Sequence, residues 1–202
     1  MYKDSVKNLL PDNVRIQDGQ LVLRKVMPDE ADSLNELVDN PAVYRYLPTY
    51  LEEKKDGDSR QFMERSEDSL FLGVFEEGQF AGLMELYGYR KLLHKVSIGC
   101  RLTERCWGRG ISTRSTNLLV QYLFHETKIN VITASTMVEN HASANVLKKA
   151  GFSLVMHNVP ENWGYETPTR ADKWILWKYS MRDERYSPYE QYKALKDRFG
   201  SH

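Results

Sequence analysis

The chain is poor in cysteine: Cys100 and Cys106 are the two it has in 202 residues. Two thiols cannot make the disulfide framework of a small secreted scaffold, and their spacing is not that of a zinc ligand set. No metal is expected, and both thiols are expected to be reduced packing residues. Net charge is missing too, because 28 Lys and Arg balance 28 Asp and Glu. No overall field draws such a chain to nucleic acid or to an anionic membrane. Long apolar runs are also absent. No segment approaches a membrane span, and residues 1–20 lack the apolar centre of a signal peptide. A cytoplasmic protein without membrane or nucleic-acid partners is the expectation, as a monomer or homodimer.

What is present is ordinary for one globular domain. Hydrophobic residues make up 41% of the chain and charged residues 28%, too apolar for a disordered polymer. The length suffices for one core and is short for two full domains.

Periodicity orders the elements. Leu21 to Met27 alternates apolar with basic residues and predicts a strand. A helix is predicted from Asp29 to about Asn40, with Ala31, Leu34, Leu37 and Val38 on one face. Pro41 and Pro48 bracket a tyrosine-rich turn, and a more polar helix is predicted between Ser59 and Ser66. Strands follow at Leu70–Phe75, Phe80–Tyr87 and Lys95–Leu102, the first two joined by a hairpin turn at Glu77-Gly78. A helix from Gly110 to Thr127, a strand from Val131 to Val138 and a helix from Asn140 to Ala150 come next. Phe152–Asn158 and Lys173–Tyr179 are the last two strands. The order β-α-α-β-β-β-α-β-α-β-β is that of a mixed α/β domain. Beyond residue 180, Ser187-Pro188-Tyr189-Glu190 opens an extra C-terminal helix with Tyr192, Leu195 and Phe199 in a stripe. The expected division is a domain over residues 1–180 and a helical extension over residues 181–202.

The chemistry concentrates in Arg105-Cys106-Trp107-Gly108-Arg109-Gly110-Ile111-Ser112, between a strand and a long helix. Two glycines let successive N–H groups converge on one concavity. The first turn of the helix adds unsatisfied donors and the positive end of its dipole. Such a site suits a pyrophosphate, and the alternative is a glycine turn without a ligand. A P-loop requires Lys then Ser or Thr at the helix start, where Gly110 is followed by Ile111. A dinucleotide fingerprint requires a third glycine where Thr113 stands.

The segment resembles the acetyl-CoA signature of the GNAT superfamily, Gln/Arg-x-x-Gly-x-Gly/Ala, through Arg105, Gly108 and Gly110. A second block, Glu139-Asn140-His141-Ala142-Ser143 followed by Leu147-Lys148-Lys149-Ala150-Gly151-Phe152, resembles the ribosomal-protein N-terminal acetyltransferase branch, RimJ/RimL-like. The likeness runs from about Leu21 to Tyr179. It implies a GNAT fold, with a mixed, mostly antiparallel seven-stranded sheet flanked by helices, and acetyl-CoA as cosubstrate. It also implies that the backbone of Cys100, Arg101 and Leu102 pairs with the pantetheine arm. The backbone amides of Trp107, Gly108, Arg109, Gly110, Ile111 and Ser112 would hold the pyrophosphate, Arg105 would be a further cofactor-binding residue, and the Asn140 side chain would touch the pantetheine.

Acetyl transfer to an amine requires a neutral nucleophile, donors for the carbonyl oxygen and a proton for the leaving thiolate. Deprotonating a lysine-like amine at pH 7 costs ~4.6 kcal/mol, an α-amine only ~1 kcal/mol. Many GNAT enzymes place a proton-donating Tyr seven residues after the Asn of the second block, where this chain has Leu147. The resemblance then points to Ser143, which shares a helix face with Val146, Leu147 and Ala150; the alternative is a serine bonded within its helix. For the base, the branch's Glu before Ile-Gly is replaced by Ser97. Glu85 is the candidate, His94 the second, and a water chain the third; as a strand residue Glu85 could equally face solvent. The implied activity is direct transfer of acetyl to a primary amine, on a protein N-terminus or a small amine. The alternatives are a drug or polyamine acetyltransferase and a catalytically silent acyl-CoA-binding module.

Overall fold

The computed structural model describes residues 5–27, 30, 33–38, 40–47 and 69–179. The helix expected at Ser59–Ser66, the one expected from Ser187, and Tyr50 lie outside the described residues.

One eight-stranded sheet organises the chain, in the order β1-β2-β3-β4-β5-β6-β8-β7. Its strands are β1 (Arg15–Asp18), β2 (Leu21–Arg24), β3 (Ser69–Glu76), β4 (Gln79–Arg90), β5 (Lys95–Leu102), β6 (Val131–Met137), β7 (Ser153–Glu161) and β8 (Thr169–Trp177). The eighth strand is β1, which the sequence reading missed. Its residues Arg-Ile-Gln-Asp bury only Ile16, so alternation had one apolar position to show. It pairs with β2 across a tight turn at Gly19. The hairpin at Glu77-Gly78 forms as expected, with both residues at positive φ, 54° and 78°.

The helix predicted from Asp29 to about Asn40 falls partly outside the described residues, at Asp29, Ala31, Asp32 and Asp39. The described helices there are α1 (Asn35–Val38) and α2 (Pro41–Tyr44), the second falling in the tyrosine-rich turn. Asn40 explains the break: its Oδ1 accepts from Ala42 N at 2.9 Å, with Pro41 in the first helical position. The longer helices, α3 (Ile111–Glu126) and α4 (His141–Lys149), stand where predicted.

Seven neighbouring pairs form the sheet, and β5–β6 alone is parallel. A parallel pair requires a crossover, which α3 provides. Alternation gives the sheet two faces. Leu72, Met84, Leu86, Val96, Ile98, Ile132 and Trp174 join Leu119, Leu123 and Phe124 of α3 in the larger core. On the other face Phe71, Phe75, Phe80 and Leu83 pack with Leu37 of α1 and Val43 and Tyr44 of α2.

Candidate active site

The site begins where the parallel pair fails. The β5–β6 register covers Lys95↔Val131, Val96↔Ile132 and Ser97↔Thr133, then ends. β5 continues to Leu102, still paired with β4 on its other side. The β6-facing edge of Ile98–Leu102 therefore has no strand partner among the described residues; apart from the Leu102 carbonyl, which accepts from the Trp107 indole, it is the kind of edge that can pair with an extended ligand. The separation opens a cavity of about 560 Å³, lined by both strands, α3, α4, β7 and β8.

At the end of β5 a short 3-10 turn, Glu104–Cys106, leads into the glycine loop. Trp107 is pinned by its indole, whose Nε1 donates to Leu102 O at 2.9 Å, leaving the ring half exposed. Gly108 and Gly110 lie at φ 72° and 74°, a region costly to residues with a Cβ. A Cβ built on either glycine would meet no atom within 4 Å, so the loop encloses open space. Gly110 is the N-cap of α3, and it offers no capping side chain to the first-turn N–H groups. Those donors have the dipole of a 16-residue helix behind them, a combination that generally favours an anion.

The side chains of the signature have other duties. The Arg105 guanidinium donates from Nε to Glu36 Oε1 at 2.8 Å and from Nη2 to the Phe80 carbonyl. These bonds tie the loop to α1 and β4, so the guanidinium expected among the cofactor-binding groups is engaged within the protein. Pairing with Glu36 raises the Arg105 pKa above the ordinary arginine value. Ile111 is fully buried, so only its backbone can serve a ligand. Arg109 is exposed beside the loop. Ser112 Oγ donates to Cys100 Sγ at 3.3 Å inside the cavity.

Burial pushes the Cys100 thiol up to about 11, against the opposing bond from Ser112. At pH 8 about one such thiol in a thousand is ionised. Iodoacetamide at pH 8 is expected to leave Cys100 intact over a time that fully labels a small-molecule thiol. The labelling rate, followed by mass spectrometry, should rise only as pH climbs toward that value. A midpoint near the ordinary cysteine value would refute the burial.

Asn140 and Ser143 meet the cavity at the start of α4. Asn140 is its N-cap, and Oδ1 accepts from Ser143 N at 3.1 Å. That bond engages the amide oxygen, and Asn140 helps to line the cavity. Ser143, Val146 and Leu147 follow on the same wall, so the expected shared face is the cavity face.

Glu85 lines the cavity too, but it is buried rather than solvent-facing. Its Oε2 accepts from Arg101 Nη2 at 2.6 Å and its Oε1 from Ser69 Oγ at 2.7 Å. Arg101 is itself buried, with its guanidinium 5.5 Å from the Phe71 ring centre. A proton taken up by Glu85 would remove the counter-charge of a buried cation, which works against the role of base. His94 is exposed, in a left-handed cap at φ 48°, and does not line the cavity.

Among the aromatics, Tyr46, Tyr87 and Trp163 line the cavity, whereas Tyr44 is core. Tyr165 closes a loop by donating to Leu47 O at 2.6 Å. The sequence reading passed over Lys95, Thr133, Ser135, Glu161 and Lys173, which share the cavity wall with Ser97. Their signal was the polar residue at every second position of β5 and β6, legible as a wall only once the strands are paired.

A sheet that parts at its parallel pair, followed by a glycine loop and a helix N-terminus, is the arrangement that the resemblance to the GNAT fold led one to expect. The comparisons agree. The chain belongs to the GNAT acetyltransferase family, whose acetyltransferase (GNAT) domain matches residues 20–153. It is 34% identical over 119 residues to the Probable N-acetyltransferase YjcK of Bacillus subtilis (strain 168), which covers 56% of this chain. The chain spans 65% of the length of that relative.

In structure it resembles the RimL ribosomal L7/L12 alpha-N-protein acetyltransferase in complex with coenzyme A. The TM-score is 0.68 at 18% identity, over 81% of this chain and 98% of that one. It also resembles a spermidine N-acetyltransferase of Vibrio cholerae in complex with coenzyme A and spermine. There the TM-score is 0.69 at 16% identity, over 82% of this chain and all of that one. At such identities the likeness is one of fold.

Proposed function

We propose that this chain moves an acetyl group from acetyl-CoA to a primary amine by direct transfer, acting on a protein N-terminus or a small amine. One observation carries the reading: β5, whose β6-facing edge has no strand partner beyond Ser97, lines the cavity with Ile98, Gly99 and Cys100 and runs on through a glycine loop into α3, whose first turn returns to the cavity at Ser112. The donors of the Trp107–Ser112 stretch suit the pyrophosphate, with hydrogen bonds to a charged group of ~1.5–3 kcal/mol each. The edge at Cys100, Arg101 and Leu102 suits the pantetheine amides, and Asn140 has an amide left to join them. The binding of coenzyme A by two similar folds supports the same cosubstrate.

In this reading the amine lone pair attacks the thioester carbonyl, the C–S bond breaks, and the thiolate takes a proton from Ser143, whose oxygen regains one from water. The amine proton leaves through a base or water in the acceptor half of the cavity. The transferase domain is proposed to span residues 1–180, with residues 181–202 as an extension. No described helix is long and apolar enough to cross a membrane, and a cytoplasmic location is proposed.

Free-thiol release from acetyl-CoA, measured against peptides with free N-termini and small amines, tests the activity. Wild type is expected to turn over some of them, and Ser143→Ala to lose about 100-fold or more in kcat with acetyl-CoA affinity kept. Binding of acetyl-CoA without thiol release across the panel would leave a silent acyl-CoA-binding module instead.

A further inference from the structure

Among the described residues, the cavity is lined by four charged side chains: Glu85, Lys95, Glu161 and Lys173. Three of them are matched. Glu85 holds Arg101. Lys173 pairs with Glu161 and donates to Ser135 Oγ at 3.0 Å. Lys95 is different. Its Nζ donates to Ser97 Oγ at 3.3 Å, and among the described residues no carboxylate forms an ion pair with it.

Its surroundings sharpen the surplus. Burial lowers the Lys95 pKa, and the nearby cations Arg90 and Lys173 lower it further. An ammonium held among cations in a partly dry cleft gains most from an anion brought by a ligand. Hydroxyls are ready beside it, since Ser97 Oγ and Thr133 Oγ1 stand 2.8 Å apart and both line the cavity. These three side chains come from neighbouring strands at one level, Lys95 and Ser97 from β5 and Thr133 opposite Ser97 on β6. Packed strands hold such a constellation more firmly than a loop would.

We infer that the acetyl acceptor carries an anionic group near its amine, a carboxylate or phosphate, received by Lys95 with the hydroxyls of Ser97 and Thr133. The inference rests on the amine-acetylating reading and narrows it to a class of acceptor. A polyamine would bring a second positive charge to a wall whose unmatched charge is already positive. An amino acid, or a peptide N-terminus followed by an acidic residue, brings the missing charge. Specificity then comes as much from repulsion of dications as from attraction of anions.

Calorimetric titration of the CoA-saturated protein with acetylated products reads this wall without turnover. The probes are the amides of acetyl-alanyl-aspartate, acetyl-alanyl-asparagine and acetyl-alanyl-lysine, with acetylated γ-aminobutyrate set against acetylated butanediamine. The aspartate and butyrate probes are expected to bind about tenfold or more tightly than their neutral or cationic counterparts. Lys95→Gln should erase the preference and Lys95→Arg keep most of it, with unchanged CoA affinity and melting temperature in both. Equal or tighter binding of the neutral or cationic probes, no binding of the anionic ones, or a preference that survives Lys95→Gln would overturn the inference. Such a failure alongside thiol release from some amine sinks the anion site alone. Absence of thiol release with every amine sinks the transferase reading.

Discussion

Replacement of Gly108 by Trp is expected to weaken acetyl-CoA binding by about 100-fold or more, with the circular dichroism spectrum of the folded chain retained. Two physical effects combine. Gly108 sits at φ 72°, where an L-residue costs about 1–2 kcal/mol, enough to shift the loop's N–H groups but small for a chain of this size. The open space around its absent Cβ would then hold an indole. Loss of two charge-assisted hydrogen bonds at ~1.5–3 kcal/mol each gives a factor of about 10² to 10⁴. Gly108→Ala separates the effects, because it imposes the backbone strain with little bulk and should lose far less. The measurement is calorimetric titration with acetyl-CoA. An unchanged affinity in Gly108→Trp would mean that the pyrophosphate lies elsewhere.

The second large effect concerns stability. Glu85→Leu removes the counter-charge of Arg101, where the two side chains are 11% and 4% exposed. Breaking one side of a buried pair costs about 3–5 kcal/mol, which for a chain of this size lowers Tm by roughly 6–20 °C. Joint replacement of Glu85 and Arg101 by Leu should recover much of that loss, since the pair's attraction chiefly offsets its own desolvation. Thermal melts of the single and double variants form the cycle. Glu85→Gln adds a functional reading: kcat preserved within a few fold would make Glu85 structural, whereas a loss of about 100-fold with a normal melt would restore it as the base. The melt and the rate thus answer separate questions about one carboxylate.

The glycine loop was legible in the sequence because everything it requires is local. Two glycines at positive φ and a helix start fall within a few residues, and a chain segment that short carries its own conformational preferences. The same holds for the hairpin at Glu77-Gly78 and for Asn140, whose capping bond spans three residues. β1 was missed for the opposite reason: four residues with one buried side chain give alternation too little to work on. The helix end near Asn40 was expected, but the short helix α2 after it was not: Asn followed by Pro is a helix-start signal, and it competed with the turn signal of Pro41 and Pro48.

Glu85 shows where local reading ends. Its alternation between Met84 and Leu86 fits a solvent-facing residue and a buried one equally well. Arg101, sixteen residues on, decides between them. The sign and surplus of charge on the acceptor wall have the same origin. Lys95 and Lys173 come together only because β5, β6 and β8 are neighbours in the sheet.

By itself the sequence determined a mixed α/β domain, its long helices, most of its strands, and a backbone loop suited to a pyrophosphate. The tertiary structure alone decided that β5 parts from β6 after Ser97, that Arg105 braces the loop against Glu36 and the Phe80 carbonyl, and that Glu85 is locked to Arg101. The physical reason is distance along the chain. Turns and caps are fixed by bonds a few residues long, whereas cavities and ion pairs arise from strand register across many residues, which only the packed sheet can set.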